Sequence, residues 1–261
     1  MKYSYLIFLF LIPRFVTAQD FIMQAGSQKT LTPEERTLSL NKFVLGDNVV
    51  IIIPATMNGW TVNATDVTIG TNVRIVAAGT PGYFAGNGGT GASAAICMRG
   101  MNGSNGAIGG NGTPGKNISL NLKIRSIGSL TILANGGSGS NGGNGGNGGS
   151  GGASACNCNG GNGGNGGAGG GGGSGGAGGN VNIIYTTIGK AVISNSNFIV
   201  QNEGGTAGRG GAAGMGGPGG LEGQCSTSKA SSKPRGANGV NGLAGYNGNK
   251  GVNGITTITS R

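Results

Sequence analysis

Cys97, Cys156, Cys158 and Cys225 are the residues of this chain with the clearest chemistry. An even number of cysteines in an exported chain suggests disulfides. Cys156-Asn157-Cys158 has a competing reading as a metal or redox site, but no His or acidic co-ligand stands near it. The chain has no His at all, and its acids are Asp20, Glu34, Glu35, Asp47, Asp66, Glu203 and Glu222. None of their spacings suggests a paired acid and base, and the serines and cysteines have no candidate base. The chain is therefore expected to be no enzyme, with no catalytic residue, metal site or cofactor.

The formal net charge is +10. Nucleic-acid binding would call for clustered Lys and Arg with stacking aromatics. Here the basic residues are scattered, which argues against a nucleic-acid partner and leaves acidic glycans or other cell-surface components. One local gathering stands out: Arg99, Lys229, Lys233 and Arg235 lie near Cys97 and Cys225 in sequence.

What positions these residues is glycine. Gly100, Gly103, Gly106, Gly109, Gly112 and Gly115 keep a three-residue spacing, as do Gly205 through residue 223 and Gly236 through residue 254. That period fits neither an α-helix nor a strand. It fits a left-handed polyproline II or polyglycine II helix, with three residues per turn and no internal hydrogen bonds. Free N–H and C=O groups must then find partners on neighbouring helices. Collagen would need abundant Pro and three chains, and this sequence has 7 Pro.

Between the glycine tracts lie segments rich in Val, Ile, Thr and Leu. One apolar, Gly, polar, apolar pattern begins at Leu45, Ile69, Ile127 and Ile188. Once the glycine excursions are set aside, the copies recur at about 20 residues, the length of a β-solenoid coil. The next copy is expected at Ile255-Thr256-Thr257-Ile258. The fold class predicted is all-β and irregular, a short β-solenoid whose coils extrude three long hairpins of polyglycine II helices. Outward tracts 79–91, 136–151 and 205–223 form one layer of three, and return tracts 100–115, 160–178 and 236–254 the other. The middle excursion, richest in Gly-Gly-Asn, has the most neighbours and can spare one position in three for a side chain.

This organisation reads as a signal peptide at 1–18, an N-terminal β cap with the first coils at 19–78, the glycine bundle at 79–254 and a final strand at 255–261. Solenoid strands at 117–135 and 180–203 interrupt the bundle. The signal rests on Lys2, the apolar run 6–12 and the small residues before Gln19, with cleavage near Ala18. That run is shorter than the roughly 20 residues of a membrane span, and no later segment is apolar enough. A secreted protein, extracellular or periplasmic, is expected. All four cysteines fall at or beside hairpin tips, and the simplest pairing links Cys97 and Cys225 to the middle pair. Val240, Leu243, Tyr246 and Val252 form an exposed column fit for self-association.

The Gly-Gly-Asn tracts ending in variable loops resemble the polyglycine II sandwich of tail-fibre-tip adhesins from T-even-type phages. That resemblance implies receptor binding by the tip loops. The six-helix, disulfide-stapled arrangement is also similar to the snow flea antifreeze proteins, which implies ice binding through a flat face. Both resemblances cover residues 79–254. The function expected first is a secreted or surface-displayed adhesion module contacting its target through Arg99, Lys229, Lys233 and Arg235. Ice binding and a purely structural matrix role are the alternatives.

Overall fold

The computed structural model describes residues 19–190, 192–223 and 233–261. The signal segment expected at 1–18 lies outside them. The protein is all-β, with two parallel sheets. Strands β1 (Gln19–Met23), β3 (Thr37–Leu45), β5 (Gly59–Ile69), β7 (Asn117–Ile127), β9 (Val181–Thr187) and β11 (Thr256–Ser260) form the first sheet, in that order. The second holds β2 (Gln28–Thr30), β4 (Val50–Ile52), β6 (Val73–Val76), β8 (Leu130–Leu133) and β10 (Phe198–Gln201), likewise in chain order. The chain thus alternates between sheets and climbs one rung per circuit.

Alternation explains the strands. In β5, Trp60, Val62, Ala64, Val67 and Ile69 are buried while the residues between them face outward. Matching positions stack rung on rung, Phe21 on Phe43 and Phe43 on Val67, and Phe43 also meets Trp60 edge-on, with ring centroids 5.5 Å apart in the first pair of rings and 6.1 Å in the second. The core runs as one file between the sheets from Met23 to Phe198.

The corner from first to second sheet shows why the apolar, Gly, polar, apolar pattern recurs. A Cβ on Gly46 would strike the backbone of Gln24 and Ala25, and one on Gly70 would strike Gly46 and Asp47, so the chain stacks closely only without it. Two residues later Asn48 and Asn72 take left-handed φ of 57° and 54°, a region asparagine tolerates. The Asp47 carboxylate accepts from the Thr71 N–H (2.6 Å) and hydroxyl (2.9 Å), and Asn72 Nδ2 donates to Asn48 Oδ1 (2.8 Å). The Thr71 backbone bond, and then its hydroxyl, hold the Asp47 carboxyl below the usual range. Further along the first sheet, Arg125 makes a two-pronged bond to Asp66 at 2.9 and 2.8 Å and lowers that carboxyl too.

The structure corrects two expected copies. Ile188-Gly189 begins a turn with Gly189 at φ 73°, and Val192 stands 94% exposed. The strand laid on β8 is β10 instead, with Phe198 opposite Leu130. A longer corner carries the chain there: Asn197 Nδ2 donates to the Gly128 carbonyl (2.7 Å), and Phe198 then packs on Tyr185 at 5.4 Å. Ile255 to Ile258 does not continue the second-sheet pattern either. Its strand β11 pairs with β9 in the first sheet, Ile258 opposite Ile183.

Each glycine excursion leaves the end of a second-sheet strand and returns at the start of a first-sheet strand. Backbone hydrogen bonds join the tracts throughout. Gly82, Gly88 and Gly91 donate to Ser138, Asn144 and Asn147 on the next outward tract, and Gly142, Gly145 and Gly148 donate onward to Arg209, Ala212 and Met215. Return tracts follow the same rule, with Gly103 donating to Asn165 and Gly166 to Val240. A third set crosses between the two series. From Gly242 to Gly214, Gly167, Gly146, Ser104 and Gly89, each N–H donates to the next carbonyl at 2.8 to 2.9 Å, linking all six tracts. A Cβ on Gly146 would fall on the Gly89 carbonyl oxygen and one on Gly167 on that of Ser104.

Candidate functional site

Two of the three excursions turn within the described residues. The first turns at Ala95-Ile96-Cys97-Met98, closed by the Met98 N–H on the Ala95 carbonyl (3.0 Å), with Cys97 at φ 65°. The second turns at Ala155-Cys156-Asn157-Cys158, where Ala155 and Cys158 exchange both backbone bonds at 3.0 and 3.2 Å. Gly223 and Lys233 bridge the neck of the third.

Covalent and polar contacts tie these turns together. Cys97 and Cys158 form a disulfide, Cα atoms 5.9 Å apart, joining the first turn to the second across 61 residues. Cys156 is also disulfide-bonded, so the two cysteines of Cys156-Asn157-Cys158 do not bond each other. Ser154, buried, donates to the Lys233 carbonyl (3.0 Å) and accepts from the Gly223 N–H (2.5 Å), clamping the third neck to the second turn. Gly160 N–H adds a bond to the Pro234 carbonyl (3.0 Å).

Of the four basic residues read as contact groups, Lys229 lies outside the described residues, as does Cys225. Arg99 and Arg235 are exposed and Lys233 is half-buried. Arg99 leads into the first return tract and Arg235 into the third, with the middle return tract between them, held by Gly100 N–H to Asn162 and Gly160 N–H to Pro234. Arg99 Nη2 also reaches Asn102 Oδ1 at 3.4 Å.

Two features escaped the sequence reading. Ile96 and Met98, at 66% and 61% exposure, join the open-side residue Leu221, at 70%, and make the tip end apolar as well as basic. The place of Ile96 and Met98 beside Cys97 was the available signal. Asparagine is the other. Asn141, Asn144 and Asn147 look like a bare outer column, yet their Oδ1 atoms accept from the N–H groups of Arg209, Ala212 and Met215 at 2.8 to 2.9 Å. Asn162 and Asn165 do the same for Ala237 and Val240. The N–H that no neighbouring carbonyl takes is satisfied by the preceding tract's side chain.

No family of known proteins matches the chain, and no curated protein matches it. Among solved structures, a springtail antifreeze protein from Granisotoma rainieri, described as a nine polyproline type II helical bundle whose crystal waters match the ice lattice, is similar at 25% identity. The match covers 69% of this chain and 94% of that one with a TM-score of 0.10, too low to bear on fold or function.

Val240, Leu243, Tyr246 and Val252 are 68 to 78% exposed along the last tract, and the Tyr246 ring lies over Gly171. Among the described residues no helix is long and apolar enough to cross a membrane.

Proposed function

We propose that this chain is a secreted, non-enzymatic binding module: a β-solenoid base carrying six polyglycine II helices in two layers of three, with their joined tips presented to acidic glycans or other cell-surface components. The observation that carries this reading is the tying of two turns and the neck of the third excursion to one another, by Cys97–Cys158 and by Ser154 on Gly223 and Lys233. A purely structural slab gains little from a fixed far end, whereas a contact surface needs its parts held in place before binding. Cys225, the one cysteine left, completes the staple as partner of Cys156 in this proposal.

The polyglycine II assignment draws support from the period of the hydrogen bonds: glycines three residues apart donate to one neighbouring tract, as Gly142, Gly145 and Gly148 do, and the glycines beside them, Gly143, Gly146 and Gly149, to another. A non-catalytic role draws support from the acids. Asp47 is bound by Thr71, Asp66 by Arg125 and Glu35 by Lys29, all in structural contacts.

Replacing Arg99, Lys229, Lys233 and Arg235 together by Ala tests the tips. Each exposed charge pair contributes up to about 1 kcal/mol, so with four removed, retention on acidic glycans or whole cells is expected to fall on the order of tenfold. Unchanged retention would sink the tip reading.

A further inference from the structure

The outer face of the first sheet carries a row of polar side chains, at the end where the return tracts run into β7 and β9. Thr37, Thr61, Ser119 and Asn182 occupy matching positions on β3, β5, β7 and β9. They line a groove of about 430 Å³, with Arg36 at its β3 end and Trp60 among the residues lining it. That is the size range of small-molecule sites.

The ladder side chains are hydroxyls and an amide, each able both to donate and to accept. None of the four is hydrogen-bonded by its side chain to another described residue, although their neighbours Asn117 and Asn180 are already used as acceptors. Arg36 meets no carboxylate among the described residues, while Lys29 and Arg125 are ion-paired. Trp60 is 1% exposed and belongs to the core beneath the ladder, where its buried Nε1–H has no hydrogen-bond partner among the described residues. Parallel strands repeat at about 4.8 Å, close to the length of one pyranose residue in an extended glycan. A row of polar groups at that spacing, uncharged but for one guanidinium at the end, matches a chain of sugar hydroxyls bearing a carboxylate.

We infer that this groove binds an extended, uronate-containing oligosaccharide, with the ladder on its hydroxyls and Arg36 on a carboxylate. This site is separate from the tips and does not depend on them. Ice, whose lattice also meets polar ladders, would place no demand on Arg36.

The test uses the full chain and a short oligogalacturonide, followed by calorimetry and by fluorescence of Trp60, the single tryptophan. Saturable binding is expected. Arg36→Ala should weaken it about tenfold, Thr61→Val with Ser119→Ala by a similar factor, and a cello-oligosaccharide of equal length should bind the unaltered protein as weakly as the oligogalacturonide binds Arg36→Ala. Thr61 and Ser119 are outward strand positions and Arg36 is an exposed residue at the end of the 3-10 turn before β3, so unfolding transitions should stay near that of the parent. The tip alanines should leave groove binding intact, which separates this site from the tip reading. Absence of saturable binding, equal affinity for neutral and acidic oligomers, or unchanged affinity in both groove variants would overturn the inference.

Discussion

Gly143→Val is expected to cost on the order of 5 kcal/mol, from overpacking plus broken buried backbone bonds. Gly143 sits in the middle outward tract with a neighbour on every side. Its N–H donates to Ala107 at 2.9 Å and its carbonyl accepts from Gly170 at 2.8 Å, while a Cβ would land on the Gly86 carbonyl oxygen. No flexible side chain can move aside, because each neighbour is backbone. One effect opposes the loss: a residue other than Gly has less freedom to lose on folding, which favours the variant by about 0.4 to 1 kcal/mol. Steric and hydrogen-bond losses are several times larger and should win. Asn144→Ala is the control, one residue along, where the loss is a single side-chain bond to the Ala212 N–H and the expected cost about 1 kcal/mol. Denaturant unfolding of the two variants reads both values. Equal, small losses would mean that close packing of the glycine tracts does not hold the fold.

Replacing Cys97 and Cys158 together by serine should lower the melting temperature by roughly 10 °C. The disulfide spans 61 residues, and constraining a loop of that length in the unfolded chain is worth about 4 kcal/mol. At this chain size each kcal/mol moves the midpoint by about 2 to 4 °C. The folded tracts keep their backbone partners in the variant, so the loss falls on the unfolded-state constraint and on the fixed tip. Differential scanning calorimetry with and without the substitutions gives the shift, and a change of a degree or two would show that the staple contributes little to folding.

Glycine spacing was readable because it marks direction: Gly103, Gly106 and Gly109, three apart in sequence, are donors to one neighbouring tract. The corner pattern was readable at Leu45, Ile69 and Ile127 because Gly46, Gly70 and Gly128 each lie against backbone of the rung before. It misled at Ile188, where the same letters make a turn and Phe198 takes the stacked position. A local pattern cannot report that Asn197 bonds Gly128 from 69 residues away. The asparagine acceptors were hidden for the same reason, since each serves an N–H on a different tract, 68 residues on for Asn144. At the tips, charge drew the eye in sequence, and the apolar Ile96 and Met98 became visible once the turn exposed them.

Amide hydrogen exchange across the glycine tracts tests the account most directly. The N–H groups of Gly143, Gly146, Gly167 and Gly170 are each bonded to a carbonyl of a neighbouring tract, so they should exchange as slowly as the core strands β5 and β7, opening only with global unfolding. Exchange of these glycines at the rate of an unstructured chain, while β5 and β7 stay protected, would contradict it.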